Sequence, residues 1–398
     1  MKGRKILMSK KIIIIGNGAS GNTAAEEILS HNDNHKITII TNEASPIYYR
    51  PMLSEYISEA ETPKRFYLHT FDWYKDNNIE LITETNVCGI SPTQKEITLS
   101  NGATLQYDSL IICTGSYNFV PEIPGANKSN VMTLRTLDDA NQLRQMAQNA
   151  KKSIIIGGGL LGLELGWQLK KLNIDVTVVE MMDRLLPKQL DLEASNLFEE
   201  KVAQTGIKVL LDVQVKRIVG DAYATGVELV DGTILDSDLV IFSIGVRADV
   251  SLAKEAGVTV DRGIIVDDSM KTNIPNIYAA GDCTEHKGIN LAIWPEAIAQ
   301  GKVAGQNSLG IPSIYETIVP FNIYHGMNLR LFSIGDVGGD PEQNYEVHRL
   351  INEEDFEKYF FVDNILTGGI LLGNIAKSTK LKKALINKMS KEDFVKSI

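Results

Sequence analysis

Apolar and polar positions along this chain repeat one arrangement twice. An apolar run over residues 11–16 ends in glycine, a helical pattern follows over 19–30, and a second apolar run covers 36–40. The same order returns over residues 153–158, 160–172 and 174–180. A strand, a helix and a strand within about 30 residues form a βαβ unit, and continuously apolar strands are typical of parallel sheets buried on both faces. The pattern therefore predicts two α/β domains.

Two more apolar runs, over residues 105–116 and 236–245, each end in a tight glycine turn, at Gly115 or Gly245. We interpret these turns as hinges between a first domain and a second domain inserted into it. A shorter strand later ends in Gly281-Asp282.

Each repeat carries a glycine fingerprint of the form G-x-G-x-x-G. The first glycine permits a tight turn, the second lets the backbone approach a pyrophosphate, and the third allows close packing of helix on strand. The residues that open the helix offer unpaired N–H groups and a positive dipole end to the phosphates. The members are Gly16, Gly18, Ala19, Ser20 and Gly21, and then Gly157, Gly159, Leu160, Leu161 and Gly162. Because both fingerprints follow a strand and open a helix, we expect two bound dinucleotides.

The pattern changes after residue 316, where short alternating strands such as 329–334 and 359–362 precede a lysine-rich helix that closes the chain. The predicted fold class is therefore α/β, with two Rossmann-like three-layer dinucleotide-binding domains plus a small α+β C-terminal domain.

Acidic residues distinguish the two fingerprints. A carboxylate about 20 residues after a fingerprint binds the ribose of a dinucleotide. In the second repeat this is Glu180, which would repel a 2′-phosphate and so favours NADH, although Arg184 lies nearby. In the first repeat Asn42 or Glu43 could serve, or both could be ordinary loop residues. Glu164, inside the second helix, either complements the helix dipole or accepts a hydrogen bond from the nicotinamide carboxamide.

Composition narrows the function classes. The 398 residues are 43% hydrophobic and 23% charged, as in an ordinary globular protein, and the net charge of −10 does not favour nucleic acid or anionic membranes. No apolar run is long enough for a membrane span, and the basic N-terminus lacks the apolar core of a secretory signal. We expect residues 1–7 to be an upstream extension. The three cysteines contain no Cys-x-x-Cys pair, so we expect a cytoplasmic protein in which each is a reduced, small, buried residue.

A family resemblance rests on the two fingerprints combined with Thr114-Gly115, Gly245-Val246-Arg247 and Gly281-Asp282. Together they resemble the pyridine nucleotide–disulfide oxidoreductase superfamily of two-dinucleotide flavoproteins, over roughly residues 10–310. The resemblance implies FAD in the first unit and NADH in the second. It assigns FAD to residues 9–116 and 246–316, NAD(H) to the inserted residues 117–245, and the small C-terminal domain to 317–398.

The resemblance also implies roles for individual residues. Asp282 would bind the ribityl chain or flavin phosphate, although it could be only a turn or helix cap. Val87 would contact the adenine through its backbone, and Arg135 would approach the FAD. Trp294 would lie by the flavin pyrimidine ring, although it could be only a core aromatic. The cofactor-binding positions further include Arg50, Thr114, Gly115 and Gly245.

The absence of redox cysteines from one segment indicates the branch of the superfamily. The segment 45–54 holds neither the redox cysteine pair of disulfide reductases nor the single cysteine of peroxidases and related oxidases. The run Tyr48-Tyr49-Arg50-Pro51-x-Leu53 resembles instead the reductases of small redox proteins, above all NADH:rubredoxin reductases, with ferredoxin reductases and nitrite reductase FAD domains also similar. One departure is Glu55, where several ferredoxin reductases place a lysine near flavin N5.

The expected function is therefore a flavoenzyme that passes hydride from NADH to FAD and then electrons to a small carrier protein, rubredoxin or ferredoxin. Two alternatives stay open: an NADH oxidase or nitrite reductase-type component, and a non-catalytic NADH-responsive flavoprotein. We expect no catalytic proton shuttle and no metal, because the cofactor carries the hydride chemistry. The carrier would be a separate chain, and the protein a monomer or weak dimer. Five lysines over 377–388 form either a docking patch for an acidic carrier or a solvated helix face.

Overall fold

The computed structural model describes residues 9–31, 34–352 and 355–398, so the expected extension over residues 1–7 lies outside the described residues. The strands are β1 (Lys11–Ile15), β2 (Lys36–Ile40), β3 (Ile79–Ile82), β4 (Val87–Ser91), β5 (Glu96–Leu99), β6 (Thr104–Gln106), β7 (Ser109–Ile112), β8 (Ser116–Asn118), β9 (Val131–Met132), β10 (Lys152–Ile156), β11 (Asp175–Val179), β12 (Lys208–Leu210), β13 (Val215–Val219), β14 (Gly226–Leu229), β15 (Ile234–Asp236), β16 (Leu239–Phe242), β17 (Val246–Ala248), β18 (Ile264–Val266), β19 (Ile277–Ala279), β20 (Thr284–His286), β21 (Phe321–Gly326), β22 (Leu329–Gly335), β23 (Glu346–Ile351), β24 (Phe356–Val362) and β25 (Ile365–Leu372).

The helices are α1 (Ala19–His31), α2 (Leu53–Ser58), α3 (Phe71–Asp76), α4 (Leu137–Ala147), α5 (Leu160–Lys171), α6 (Leu192–Gln204), α7 (Ser251–Glu255), α8 (Trp294–Leu309), α9 (Ser378–Ile386) and α10 (Lys391–Ser397), and Arg50–Met52 forms a 3₁₀ turn. None of these helices is both long and apolar enough to cross a membrane, as far as the described residues extend.

The chain divides into two compact units. Unit 1 contains the chain up to Arg50, residues 64–117 and residues 246–318, and unit 2 contains residues 51–63, 118–245 and 319–398.

Unit 1 is built on a parallel sheet of order β19-β7-β1-β2-β3. The four isoleucines of β1 are buried on both faces of this sheet, as their uninterrupted apolar run predicts. Strand order reverses between β1 and β7, and the loops that follow these two strands border the crevice where ligands bind in such sheets.

Unit 2 repeats this design with a parallel sheet of order β12-β11-β10-β16-β9. Each parallel sheet is accompanied in its own unit by a three-stranded antiparallel sheet, β4-β5-β6 in unit 1 and β13-β14-β15 in unit 2. The C-terminal part of unit 2 is an antiparallel sheet of order β21-β22-β25-β24-β23, on which α9 and α10 bury Leu381, Ala384 and Phe394. The predicted fold class is confirmed.

Two predicted strands are each broken into two. The run over 105–116 leaves Tyr107-Asp108 between β6 and β7, and the run over 236–245 is interrupted at Ser237-Asp238. The Asp108 carboxylate accepts a hydrogen bond of 2.7 Å from the Lys11 N–H, and Asp238 accepts bonds of 2.8 and 2.9 Å from the N–H groups of Lys151 and Lys152. In both units an aspartate therefore caps the start of the central strand of the parallel sheet. The residues that precede the aspartate in sequence belong to the antiparallel sheet.

The expectation that all three cysteines are buried is wrong for Cys88, which is exposed, whereas Cys113 and Cys283 are buried. Cys88 lies on β4 where the pairing with β5 shifts register between Val87 and Gly89. A bulge of this kind redirects the side chain of the extra residue, here toward solvent.

Two glycines let α8 lie directly against α1 in unit 1. A Cβ on Gly301 would lie 2.3 Å from the Ser20 carbonyl oxygen, and one on Gly305 would lie 2.8 Å from the Ala24 carbonyl oxygen. The close helix contact therefore depends on the absence of side chains at these positions.

We expect Gly301→Ala to destabilise unit 1 by about 1–3 kcal/mol, because the overpacking at the Ser20 carbonyl outweighs the gain in helix propensity. Chemical unfolding followed by tryptophan fluorescence measures this, since two of the three tryptophans, Trp73 and Trp294, lie in unit 1. The control is Gly339→Ala, where a Cβ meets nothing within 4 Å. Equal stability of the two variants would contradict the packing argument.

Candidate functional site

The first fingerprint forms the turn between β1 and α1, and its glycines differ in what surrounds them. Gly16 has φ +109°, and a Cβ there would lie 2.1 Å from the Cys113 carbonyl oxygen. A Cβ on Gly21 would lie 2.0 Å from the Gly16 carbonyl oxygen. A Cβ on Gly18 would meet nothing within 4 Å, so the backbone there is open to a ligand. Ala19 and Ser20 begin α1 next to Gly18, and the first N–H groups of a helix have no partner within the helix.

The second fingerprint reproduces this geometry in unit 2. Gly157 has φ +115°, and a Cβ there would lie 2.3 Å from the Ser243 carbonyl oxygen. A Cβ on Gly162 would lie 2.3 Å from the Gly157 carbonyl oxygen, whereas one on Gly159 would meet nothing within 4 Å. Leu160 and Leu161 open α5 at this point, and Leu161 is exposed.

Three further predicted positions of unit 1 meet at the first fingerprint. The turn after β7 is held by the Thr114 hydroxyl, which donates to the Asp249 carbonyl at 2.7 Å, and by Gly115, which has φ +73°. The Ser116 hydroxyl donates to the Asp282 carboxylate at 2.8 Å. A Cβ on Gly281 would lie 2.5 Å from the Ser20 hydroxyl oxygen, so Asp282 follows a turn that lies directly on the start of α1.

A cleft beside the first fingerprint gathers more of the predicted site. Its lining consists of Asn17, Gly18, Thr41, Glu43, Ser45, Pro46, Ile47, Tyr48, Arg50 and Trp294. Glu43 accepts a hydrogen bond of 2.6 Å from the Tyr48 hydroxyl and one of 2.7 Å from the Arg50 guanidinium. Asn42 is exposed and is not part of this lining. Of the two candidates for binding the ribose, Asn42 and Glu43, the geometry favours Glu43.

Trp294 and Val87 occupy different parts of unit 1. Trp294 begins α8, is half-buried and meets the Tyr49 ring edge-on at 5.1 Å between centroids, so it is not a core aromatic. Val87 begins β4, close to the end of β2, because the nearby Thr85 N–H donates to the Thr41 carbonyl at 3.0 Å. Val87 is not part of the cleft lining.

Glu180 is held against the second fingerprint by two backbone N–H groups of unit 2. Its carboxylate accepts a hydrogen bond of 2.7 Å from Gly158 and another of 2.8 Å from Met182. Arg184 pairs with Asp183 at 2.9 Å. The carboxylate is therefore fixed at the end of β11, in the position from which a ribose hydroxyl could be bound.

Three other predicted residues also lie in unit 2. Glu164 is a half-buried residue of α5, and burial together with the charge of Glu55 raises its pKa to about 8. The Arg135 N–H donates to the Asp139 carboxylate at 2.8 Å just before α4. Gly245 has φ +98° and its carbonyl accepts a bond of 3.0 Å from Phe119.

Sequence reasoning missed three residues whose hydrogen bonds support the site. Tyr48 and Ser116 hydrogen-bond Glu43 and Asp282, and each lies in a motif that was noted for other reasons. Asn17, between two fingerprint glycines, accepts a bond of 3.0 Å from the Tyr74 hydroxyl, while its buried Nδ2 has no hydrogen-bond partner among the described residues. Tyr74 lies 57 positions away, so no local pattern could have shown this contact.

The buried thiols of unit 1 are poorly suited to nucleophilic chemistry. Burial raises the pKa of Cys283 to about 11 and raises that of Cys113 still further. Thiolates, rather than thiols, are the reactive species in disulfide exchange.

Comparison with known proteins identifies the family of this chain. Residues 10–301 match the model of a family described as pyridine nucleotide-disulphide oxidoreductase. The chain belongs to this family. Residues 320–389 match a second model, the rubredoxin NAD+ reductase C-terminal domain.

Individual relatives agree with this assignment. The chain is 35% identical to an NAD(P)H nitrite reductase of Bacillus subtilis over 391 residues, covering 96% of this chain but only about half, 48%, of that enzyme. It is 31% identical to an NADH-rubredoxin oxidoreductase of Clostridium acetobutylicum, over 95% of both chains. The crystal structure of NADH:rubredoxin oxidoreductase from that organism has a TM-score of 0.84 at 29% identity, covering 98% of this chain and 99% of that one.

The family assignment confirms the sequence resemblance and the two expected cofactors, FAD and NADH. The residues at the two fingerprints fit dinucleotide cofactors. Each fingerprint pairs a glycine that faces open space with the N-terminus of a helix, and each has a carboxylate held by hydrogen bonds beside it. These are the features that a pyrophosphate and a ribose require.

We expect Glu180→Ser to lower NADH affinity by about 1.5–3 kcal/mol, the range for a hydrogen bond to a charged group. The affinity for NADPH should fall less, because its 2′-phosphate no longer meets a carboxylate. The ratio of NADH affinity to NADPH affinity should therefore fall by about tenfold or more. Titration of the protein with each nucleotide measures both effects. The control is Asp175→Ser, an exposed position at the other end of β11. An unchanged NADH to NADPH ratio in the Glu180 variant would refute the role of this carboxylate.

Proposed function

We propose that this protein is an NADH-dependent flavoprotein reductase of a small electron-carrier protein, with rubredoxin as the carrier. The observation that carries this proposal is the match of residues 320–389 to the rubredoxin NAD+ reductase C-terminal domain. It is supported by the alignment with an NADH-rubredoxin oxidoreductase over 95% of both chains.

Residues of unit 1 would hold FAD. Gly18 and the start of α1 would receive the pyrophosphate, and Glu43, held by Tyr48 and Arg50, would bind the adenosine ribose. Asp282 would bind the ribityl chain or flavin phosphate. FAD held there would supply the capacity to accept a hydride from NADH and to donate single electrons.

The predicted positions Thr114, Gly115, Val87 and Trp294 complete the proposed FAD site. NADH would be held in unit 2 by the second fingerprint, with Glu180 on its ribose and Gly245 at the turn after β16. In domain terms, residues 9–116 and 246–316 would bind FAD and residues 117–245 would bind NADH.

Electrons would leave without a thiol relay. The sequence has no cysteine between residues 45 and 54, and Cys113 and Cys283 are buried thiols with raised pKa values. A carrier that accepts single electrons directly suits this arrangement better than a disulfide substrate.

The C-terminal lysines provide a candidate docking surface for an acidic carrier. Lys377 pairs with Glu357 at 2.8 Å and the Lys382 ammonium lies 4.1 Å from the centre of the Phe321 ring. Lys380, Lys383 and Lys388 are exposed on or just after α9. Positive charge on this face would steer an acidic partner despite the net negative charge of the chain.

A second candidate function is the flavoprotein component of a nitrite reductase or an NADH oxidase. It is favoured by the 35% identity to the nitrite reductase of Bacillus subtilis and the 35% identity to an NADH oxidase of Methanocaldococcus jannaschii. In the first case the redox partner would be a further domain or chain, and in the second it would be O2.

Steady-state NADH oxidation with rubredoxin, ferredoxin and O2 as alternative acceptors tests these functions. We expect rubredoxin, assayed anaerobically, to give the highest rate. A rubredoxin rate no higher than the O2 rate would overturn the proposal in favour of the second candidate. Failure of NADH to bleach the bound flavin would overturn both and leave a non-catalytic flavoprotein.

The double substitution Lys380→Glu and Lys383→Glu should slow carrier reduction on the order of tenfold at low salt, because it reverses the charge that steers encounter. The effect should shrink as ionic strength rises. Stopped-flow reduction of rubredoxin by the NADH-reduced enzyme measures it. The matched control is Lys201→Glu with Lys208→Glu, two exposed lysines that give the same change in net charge. If the two double variants slow carrier reduction equally, the assignment of the docking patch is wrong.

A further inference from the structure

The loop between β11 and α6, residues 181–191, lies against the second fingerprint of unit 2. At its start the Met182 N–H donates to the Glu180 carboxylate at 2.8 Å. Further along, the Leu185 side chain is completely buried and lies so close to Gly158 that a Cβ there would meet it at 2.6 Å. The course of this β11–α6 loop therefore affects both the carboxylate and the glycine turn of the fingerprint.

The loop holds one residue in an unfavourable backbone conformation. Leu186 has φ +50°, in the left-handed region that residues with a side chain rarely adopt. Its N–H donates a hydrogen bond of 3.3 Å to the Gly158 carbonyl. Backbone strain of this kind persists only where the surrounding structure maintains it. The loop therefore requires support from residues outside it.

The C-terminal sheet of unit 2 supports the end of the loop through an ion-pair cluster. Lys358 of β24 pairs with Asp191 and, at 2.7 Å, with Glu193, and Arg349 of β23 also pairs with Glu193. The side chain of Lys358 is only 12% exposed and that of Asp191 only 17%. Asp191 also caps α6, because its carboxylate accepts a hydrogen bond of 3.0 Å from the Ala194 N–H. One ammonium group thus holds both the end of the loop and the start of α6.

The pKa values agree with this geometry. Burial opposes the charge on Lys358, but its hydrogen bonds to Asp191 and Glu193 outweigh burial and raise its pKa. The hydrogen bond from Lys358 likewise lowers the pKa of Glu193. Without this ammonium, Asp191 would lose the cation with which it pairs among the described residues. A partly buried carboxylate that loses its partner favours rearrangement of the chain around it.

Two further strands of the same sheet contact the loop and α6. The Ser333 hydroxyl of β22 donates to the Gln189 carbonyl, inside the loop, at 2.6 Å. Tyr324 of β21 meets Phe198 of α6 edge-on, with 5.5 Å between the ring centroids, and both rings are buried. Strands β21, β22 and β24 therefore each hold the loop or the helix that follows it.

Ser195 connects α6 back to the fingerprint. This residue is completely buried, and its hydroxyl donates to the Leu185 carbonyl at 2.8 Å. Since the Leu185 side chain covers Gly158, the position of α6 determines how the loop lies on the glycine turn. Direct contacts thus lead from Lys358 through α6 to the second fingerprint.

We propose that the C-terminal sheet is part of the nucleotide site of unit 2, and that Lys358 is a positioning residue that sets the β11–α6 loop, and with it Glu180, for the ribose of NADH. The proposal rests on the proposed function in one respect, namely that unit 2 binds NADH through Glu180. It gives the C-terminal sheet a role in nucleotide affinity that is separate from docking of a carrier.

The first experiment measures reduction of the bound flavin by stopped flow at increasing NADH concentrations, which gives a Kd for NADH and a limiting rate. We expect Lys358→Met to raise this Kd about three- to tenfold, the usual range for a residue that acts through others. The limiting rate should not change, because the hydride leaves the nicotinamide and not the ribose that Glu180 binds. Lys358→Arg keeps the charge and should keep the wild-type Kd.

The matched control is Lys391→Met. It makes the same change in charge and breaks an ion pair of 2.6 Å with Glu346 of the same sheet, a pair that does not include the loop. We expect its Kd for NADH to equal that of the wild type. An equal rise in Kd for the Lys358 and Lys391 variants would overturn the inference.

The second experiment separates positioning of Glu180 from a general loss of stability. A less stable protein would bind NADH and NADPH more weakly by the same factor, whereas a displaced Glu180 lowers the ratio of NADH affinity to NADPH affinity. We therefore expect Lys358→Met to lower this ratio. Added to Glu180→Ser, it should lower the ratio little further, because residues that act through one another are not additive. Full additivity of the two substitutions would refute the role of Lys358.

The remaining outcomes separate this inference from the proposed function. If Lys358→Met lowers the melting temperature but changes neither the Kd nor the ratio, the inference fails while the function stands. Should this variant not fold, Ser333→Ala removes a single hydrogen bond to the loop and should raise the Kd about two- to fivefold. An unchanged Kd in that variant would then overturn the inference. If the wild type does not bind NADH, the proposed function fails, and the inference with it.

Discussion

One steric constraint organises both units: a backbone turn that presses against the carbonyl oxygen of the neighbouring strand. At Gly16 a Cβ would meet the Cys113 carbonyl at 2.1 Å, and at Gly157 it would meet the Ser243 carbonyl at 2.3 Å. Any side chain would push the central strand away from its partner at the point where strand order reverses. Because each helix is placed by this contact, its N-terminus and the open glycine beside it are placed as well.

Each unit has a carboxylate shortly after its second strand, but the two are placed and held differently: Glu180 directly follows β11, whereas Glu43 lies three residues after β2. Glu43 is bound by side chains, Tyr48 and Arg50, whereas Glu180 is bound by backbone N–H groups. Backbone donors follow from the turn itself and survive most substitutions. The Glu43 arrangement instead depends on two particular side chains, so the first site is more sensitive to sequence than the second.

Most of the fold could be predicted because its signals are local. Runs of isoleucine, glycine spacing and the turn at Gly115 are all readable within a few residues, and they correspond to β1, β10 and the turn after β7. What could not be predicted depends on distant partners. The breaks at Asp108 and Asp238 arise because these carboxylates cap strands far away in sequence. The exposure of Cys88 arises from a bulge, and the support of Asn17 comes from Tyr74. Glu164 was recognised, but the pKa of its carboxyl is raised by burial and by Glu55, which lies more than 100 residues away.

The discontinuous chain of unit 1 has a consequence for the order of folding during synthesis. The sheet of unit 1 is finished by β19, which pairs with β7, and residues 118–245 of unit 2 lie between these two strands. All five strands of the parallel sheet in unit 2 leave the ribosome before β19 does. Domains generally fold as they emerge. The parallel sheet of unit 2 can therefore be complete while that of unit 1 still exposes the edge of β7. That edge remains an open template for incorrect strand pairing until residue 279 has left the ribosome.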